Sequence, residues 1–137
     1  VLSTQVLEHA VSPDVYLREC HRLLKVGGTL LLSTHGCWKY HPDPTDLWRW
    51  TGDGLRRLIA QHGFTVSRTI GILGLAAAAV QLFQDAIHRR LPHAVRPIFA
   101  CPMQPLIAGF DRLHSDEERR NESAIYLVVA VKDRPTT

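Results

Sequence analysis

The sequence predicts an α/β domain of order β-α-β-α-β plus a final strand, with a helical insertion before that last strand. Three observations predict it. Thr29–Thr34 is a continuous, mostly apolar run closed by Gly27-Gly28 before it and Gly36 after it, the pattern of a central strand covered on both faces. A short apolar stretch, Val1–Val6, and a segment of helical period lead directly into that run, as in a βαβ unit with a parallel strand pair. A second nearly all-apolar run, Ala124–Val131, comes after a long helical and proline-rich stretch.

Local signals place each element. Ser12-Pro13-Asp14 starts a helix: Ser12 caps, Pro13 suits the first helical position and Asp14 complements the helix dipole. Tyr16, Cys20, Leu23 and Leu24 then define its apolar face, and Gly27-Gly28 stops it. Gly36–Trp50 is irregular and rich in aromatic residues, His and Pro. Thr51 caps a helix over about 53–62, with Leu55, Leu58 and Ile59 inward, and Gly63 ends it. Phe64–Ile70 alternates as a half-buried strand with Phe64, Val66 and Ile70 on one face. Residues 71–114 form the helical insertion: Leu75–Ile87 is Ala-rich, prolines at 92, 97, 102 and 105 break the chain beyond it into short pieces, and a last helix covers Leu106–Leu113. Ser115–Glu122 reads as a charged surface loop.

At 137 residues the chain suits one domain, and 45% hydrophobic with 21% charged residues excludes collagen-like, disordered and disulfide-framework classes. Lys and Arg number 16 against 13 Asp and Glu, and they are scattered as pairs such as Arg56–Arg57, Arg89–Arg90 and Arg119–Arg120. Nucleic-acid binding calls for a denser basic stripe, so no nucleic-acid partner is expected. Cys20, Cys37 and Cys101 are odd in number and show no C-x-x-C spacing, which reads as reduced thiols in a cytoplasmic protein. The longest apolar run, Ile70–Val80, is far short of the roughly 20 residues of a membrane span. The chain opens on Val1 and its only methionine is Met103, so it reads as processed or as a piece of something longer.

Three segments resemble the class I S-adenosylmethionine-dependent methyltransferases, in particular the type 11 group. They are Val6-Leu7-Glu8-His9 after a strand, Leu17 through Ser33 (similar to L-x-E-x-x-R-x-L-K-P-G-G-x-L, with Val26 in the proline position), and Gly54-Leu55 through Gly63-Phe64. The resemblance covers about residues 1–70 and the last strand. It implies a partial Rossmann-like methyltransferase sheet and S-adenosyl-L-methionine as cofactor. The family's glycine-rich turn after its first strand has no counterpart here, since no G-x-G-x-G occurs in the chain. The expectation is a single domain over 1–137 equal to the C-terminal half of a methyltransferase, a fragment inactive by itself.

Residues 33–51 resemble an H-P-x-P-x-D-x-W-R-W-T stretch of methyltransferases associated with glycan and cell-surface biosynthesis. All three tryptophans of the chain lie here, after the end of a strand, where α/β sheets place ligands. His35 or His41 is a candidate general base, because imidazole titrates near neutral pH. Asp46 would orient that base or the substrate, while Trp38, Tyr40, Trp48 and Arg49 would line the acceptor pocket. In the plainer alternative the tryptophans are core and Asp46–Arg49 is a local ion pair. Glu8 and His9, with Gln5, are the candidate cofactor contacts that the family position implies; as plain chemistry Glu8-His9 also suits a solvated turn. His35, Cys37, His41 and Asp46 are metal-compatible types at a spacing of no established motif, and no metal is expected.

The activity expected is methyl transfer to an oxygen, nitrogen or carbon acceptor, a sugar or glycolipid among the candidates. The alternative is a non-catalytic remnant or partner-binding module that pairs through its exposed sheet edge, with a missing N-terminal half or in a self-paired dimer. The insertion would complete the core, form a lid, or touch a membrane peripherally through Arg89, Arg90 and Arg96.

Overall fold

The computed structural model describes residues 1–134. β1 (Leu2–Thr4) leads through a 3-10 turn at Leu7–His9 into α1 (Pro13–Leu23), then β2 (Thr29–His35), α2 (Gly52–Gln61) and β3 (Phe64–Gly74). Three helices come next, α3 (Leu75–His88), α4 (Arg96–Asp111) and α5 (Asp116–Asn121), and β4 (Ser123–Lys132) is the last element of the described residues. The strands form one open sheet of order β1-β2-β4-β3. β2 runs parallel to β1 but antiparallel to β4, and β4 is antiparallel to β3. The parallel setting expected for β2 therefore holds on one side only, because the returning final strand takes the other.

Local chemistry explains the element starts. Ser12 Oγ accepts from the Val15 N–H at 3.4 Å and Pro13 occupies the first turn, while Thr51 Oγ1 accepts from the Gly54 N–H at 3.1 Å. Gly27 sits at φ +76°, a left-handed conformation that glycine adopts without steric cost. Its N–H donates to the Lys132 carbonyl at 3.0 Å, tying the end of β4 to the α1–β2 turn.

The core lies on one face of the sheet. Leu17 and Cys20 of α1, Leu55 and Ile59 of α2, and Leu7 pack against Leu30, Leu32, Phe64, Tyr126, Val128 and Ala130. Each of the Leu, Ile, Val and Phe side chains so removed from water contributes on the order of 1.5–3 kcal/mol. The α1 face expected from the sequence is corrected here: Leu17 is fully buried, while Leu23 stays largely exposed. Pro13, Leu17, Cys20 and Leu24 are the spacing that points inward; Leu23 lies one helical step round. β2 is also not covered on both faces, since Leu31 and its register partner Leu2 (72% exposed) lie uncovered on the opposite side.

Two further expectations change with the tertiary structure. A β-bulge between Val66 and Arg68 shifts the alternation of β3, so Thr69 rather than Ile70 turns to the buried face. The 115–122 segment is not a loop: Ser115 and Glu118 form a reciprocal capping box that starts α5. Prolines at 102 and 105 likewise do not break α4. The carbonyls they leave without an intrahelical donor belong to Ile98 and Cys101, both exposed, where water can serve them.

Candidate active site

The carboxyl ends of β1 and β2 and the irregular segment after β2 converge on one place. Gly36 makes the passage possible: a Cβ there would lie 2.2 Å from the Ser123 carbonyl oxygen and 2.7 Å from the Tyr126 ring. The chain then folds back over the 3-10 turn. The Leu47 and Trp48 N–H groups donate to the Glu8 carbonyl at 2.9 and 3.1 Å, Trp48 Nε1 donates to the Ala10 carbonyl at 2.7 Å, and the Trp50 N–H reaches the His35 carbonyl at 3.2 Å. Arg49 is the clasp: it donates to both carboxylate oxygens of Asp46 and to the carbonyls of Trp38, Lys39 and Trp48.

Beneath this segment lies a buried ionisable pair. Glu8 Oε1 is 2.9 Å from His35 Nδ1, a close contact off the hydrogen-bond axis, and Glu8 Oε2 accepts from the Thr34 hydroxyl at 2.8 Å. Glu8 is fully buried and His35 nearly so. Burial pushes the Glu8 carboxyl up, but His35, the Glu8 backbone N–H and Thr34 together outweigh it and leave the carboxyl below its ordinary value. Trp38 lies parallel to the His35 ring with centroids 5.9 Å apart, and His41 meets it edge-on at 5.8 Å. The His9 ring is 5.9 Å from that of His41, and His9 Nδ1 meets the Thr45 carbonyl.

Of the residues singled out from the sequence, Glu8, His9, His35, Trp38 and His41 are brought together. Asp46 joins the cluster through His41, accepting from its N–H at 2.7 Å as well as from Arg49, while Glu8 is the carboxylate against His35. Arg49 and the His41 N–H hold the Asp46 carboxyl down to about 2 against the desolvation that opposes them. Tyr40, Leu47 and Trp48 are exposed and, with Asp46 and Arg49, line a shallow recess of about 240 Å³. A larger recess of about 550 Å³, along β3 and α5, shares no residue with this site. Gln5 sits at the end of β1 in a left-handed conformation (φ +53°), its Nε2 donating to Ser33 Oγ at 3.1 Å and its Oε1 buried without a partner. Sequence reasoning missed Thr34 and the Lys39–Asp85 ion pair that ties the segment to α3. Neither has a local signal.

A family model described as a methyltransferase domain matches residues 1–32, the β1–α1–β2 unit. No curated protein matches the sequence. The 4+2 cyclase SpnF is 23% identical, with a TM-score of 0.55 over 96% of this chain and 48% of that one. A Listeria monocytogenes protein described as an S-adenosylmethionine-dependent methyltransferase is 15% identical, with a TM-score of 0.52 over 98% of this chain and 61% of that one. Haemonchus contortus phosphoethanolamine N-methyltransferase 2, in complex with phosphomonomethylethanolamine and S-adenosylhomocysteine, is 12% identical, with a TM-score of 0.52 over 98% of this chain and 33% of that one. The chain thus spans between a third and about three fifths of the length of these structures.

The fold is the partial Rossmann-like methyltransferase sheet expected from the sequence. The family model covers residues 1–32 alone, and over the rest of the chain the likeness to these structures is one of fold.

Proposed function

We propose that these residues form the acceptor side of an S-adenosylmethionine-dependent methyltransferase in which His35 is the general base, held by Glu8. The observation that carries this is the buried Glu8–His35 contact at the mouth of the sheet. With Nδ1 facing the Glu8 carboxylate at 2.9 Å, we assign Nε2, the other ring nitrogen, to take a proton from a hydroxyl or amine acceptor. Glu8 supports the charge that this leaves on the imidazole. His41 is the second candidate for that role, and Asp46–Arg49 shapes the segment on which it rides.

The cofactor supplies an electrophilic methyl group when bound. At the end of β1 the residues fit its amino-acid end: the buried, unpartnered Gln5 Oε1 is an acceptor suited to an ammonium group, with Glu8 and His9 in the turn beyond. The chain holds no G-x-G-x-G turn. Our reading is that a strand carrying such a turn, supplied by residues other than these 137, pairs with the free edge of β1, and that residues 1–137 alone do not turn over. The exposed Tyr40–Leu47–Trp48 surface beside Arg49 suits a flat or sugar-like acceptor, and the free thiols of Cys20, Cys37 and Cys101 suit a reducing, cytoplasmic setting.

The test is methyl transfer from labelled S-adenosylmethionine to a panel of sugar and amine acceptors, with the proposed cofactor-side strand present. Loss of transfer in His35→Gln, with S-adenosylhomocysteine binding retained, supports the reading. Unchanged transfer overturns the base assignment, and transfer by the isolated 137 residues overturns the shared cofactor site.

A further inference from the structure

We propose that the α3–α4 hairpin docks on an anionic lipid surface. Residues 86–110 contain no carboxylate, yet they carry Arg89, Arg90 and Arg96 together with His88 and His93, all near the tip where the two helices meet. Arg89 and Arg90 are exposed, and among the described residues neither makes an ion pair. Arg96 spends only Nε, on the Leu91 carbonyl at 3.1 Å.

The surface that leads away from this cationic tip is apolar. On α4, Ile98 (73% exposed), Pro102, Pro105 and Leu106 are exposed, and Ile107 is the helix's one fully withdrawn side chain. On α3, Leu75, Ala79 and Phe83 (57% exposed) recur at intervals of four and face solvent as well. An apolar strip of this kind is costly to leave in water and marks an interaction surface. Arginines at its end, with nothing acidic among them, match anionic headgroups while the apolar side chains enter the acyl boundary. A second copy of the chain is a poorer fit, because it would bring the same cations to the contact without a carboxylate from this stretch to meet them. No described helix is long and apolar enough to cross a membrane, so the hairpin would lie in the interface plane. The docking stands apart from the methyl-transfer reading and uses none of its residues.

Vesicle flotation of the purified chain tests it. Vesicles of mixed phosphatidylglycerol and phosphatidylcholine are compared with pure phosphatidylcholine at low and high salt. The wild type is run beside Arg89→Glu/Arg90→Glu and Ile98→Asp, with a thermal melt to show that each variant folds. The expected result is binding to the anionic vesicles that salt weakens and that falls about tenfold or more in the double charge reversal, since each arginine near an anionic surface adds a comparable increment. Ile98→Asp should also weaken it. The proposal fails if the wild type does not float with anionic vesicles or binds both kinds equally. It fails too if Ile98→Asp binds undiminished, which would mean simple polyanion attraction, or if Ile98→Asp instead dissolves a dimer seen by analytical ultracentrifugation.

Discussion

The Glu8 carboxylate sits 2.9 Å from Nδ1 of His35, with both side chains withdrawn from solvent and Thr34 on the other carboxylate oxygen. For the methyl transfer proposed above, His35→Gln should lower kcat by about 10²–10⁴-fold, the usual contribution of a positioned base. Glu8→Gln keeps the shape and the bond from Thr34 but loses the charge, and should lower kcat less, with the acceptor KM little changed. Wild-type turnover in Glu8→Gln would show the pair to be structural only.

Acid should release the segment after β2. Asp46 falls from its ordinary 3.8 to about 2 in the folded chain, with Arg49 the largest cause. A depressed folded-state value means that the stabilisation is complete above pH ~4 and is lost as pH falls through about 2. Because Trp38, Trp48 and Trp50 lie in or beside that segment, tryptophan fluorescence should report the loss across this window. Asp46→Asn should lower the Tm at neutral pH and flatten the acid limb.

Trp48→Ala should raise the KM for a flat or sugar-like acceptor up to about tenfold and spare kcat, in keeping with ~0.5–1.5 kcal/mol for a stacking face. Trp48→Phe retains the face and drops the bond to the Ala10 carbonyl. If the face is what matters, steady-state kinetics will show Trp48→Phe close to wild type.

Denaturant unfolding of two α1 variants checks which way the helix faces. Leu17→Ala empties a fully buried site and should cost about 2–5 kcal/mol. Leu23→Ala removes an exposed side chain and should stay within about 0.5 kcal/mol. Equal losses would contradict the packing described.

Gly36→Ala should destabilise by about 1–3 kcal/mol or more, because the new methyl meets the Ser123 carbonyl and the Tyr126 ring, neither of which can retreat freely. A Tm equal to that of the wild type would show that β4 yields there.

Much of the fold was legible because its signals are local. Ser12-Pro13 and Thr51 cap the helices they precede, Gly27 turns the chain where only a left-handed residue serves, and the apolar runs at Thr29–Thr34 and Ala124–Val131 are strands. The misread pieces depend on neighbours distant in sequence. Whether Leu17 or Leu23 faces inward is settled by where the sheet lies. The bulge at Ser67 comes from the register of β3 on β4, and α4 runs through two prolines because their orphaned carbonyls are on its wet side.

By itself, then, the sequence determined the order of elements, the turn positions and the family resemblance. It also singled out the segment between β2 and α2 as a candidate acceptor surface. Only the tertiary structure decided that Glu8, not Asp46, faces His35, that Arg49 clasps three carbonyls, and that the arginines of the α3–α4 tip border an uncovered apolar strip. The physical reason is range. Capping and turn preferences act within a few residues, whereas the partner of a buried charge is chosen by strand register and by the desolvation cost of leaving it alone.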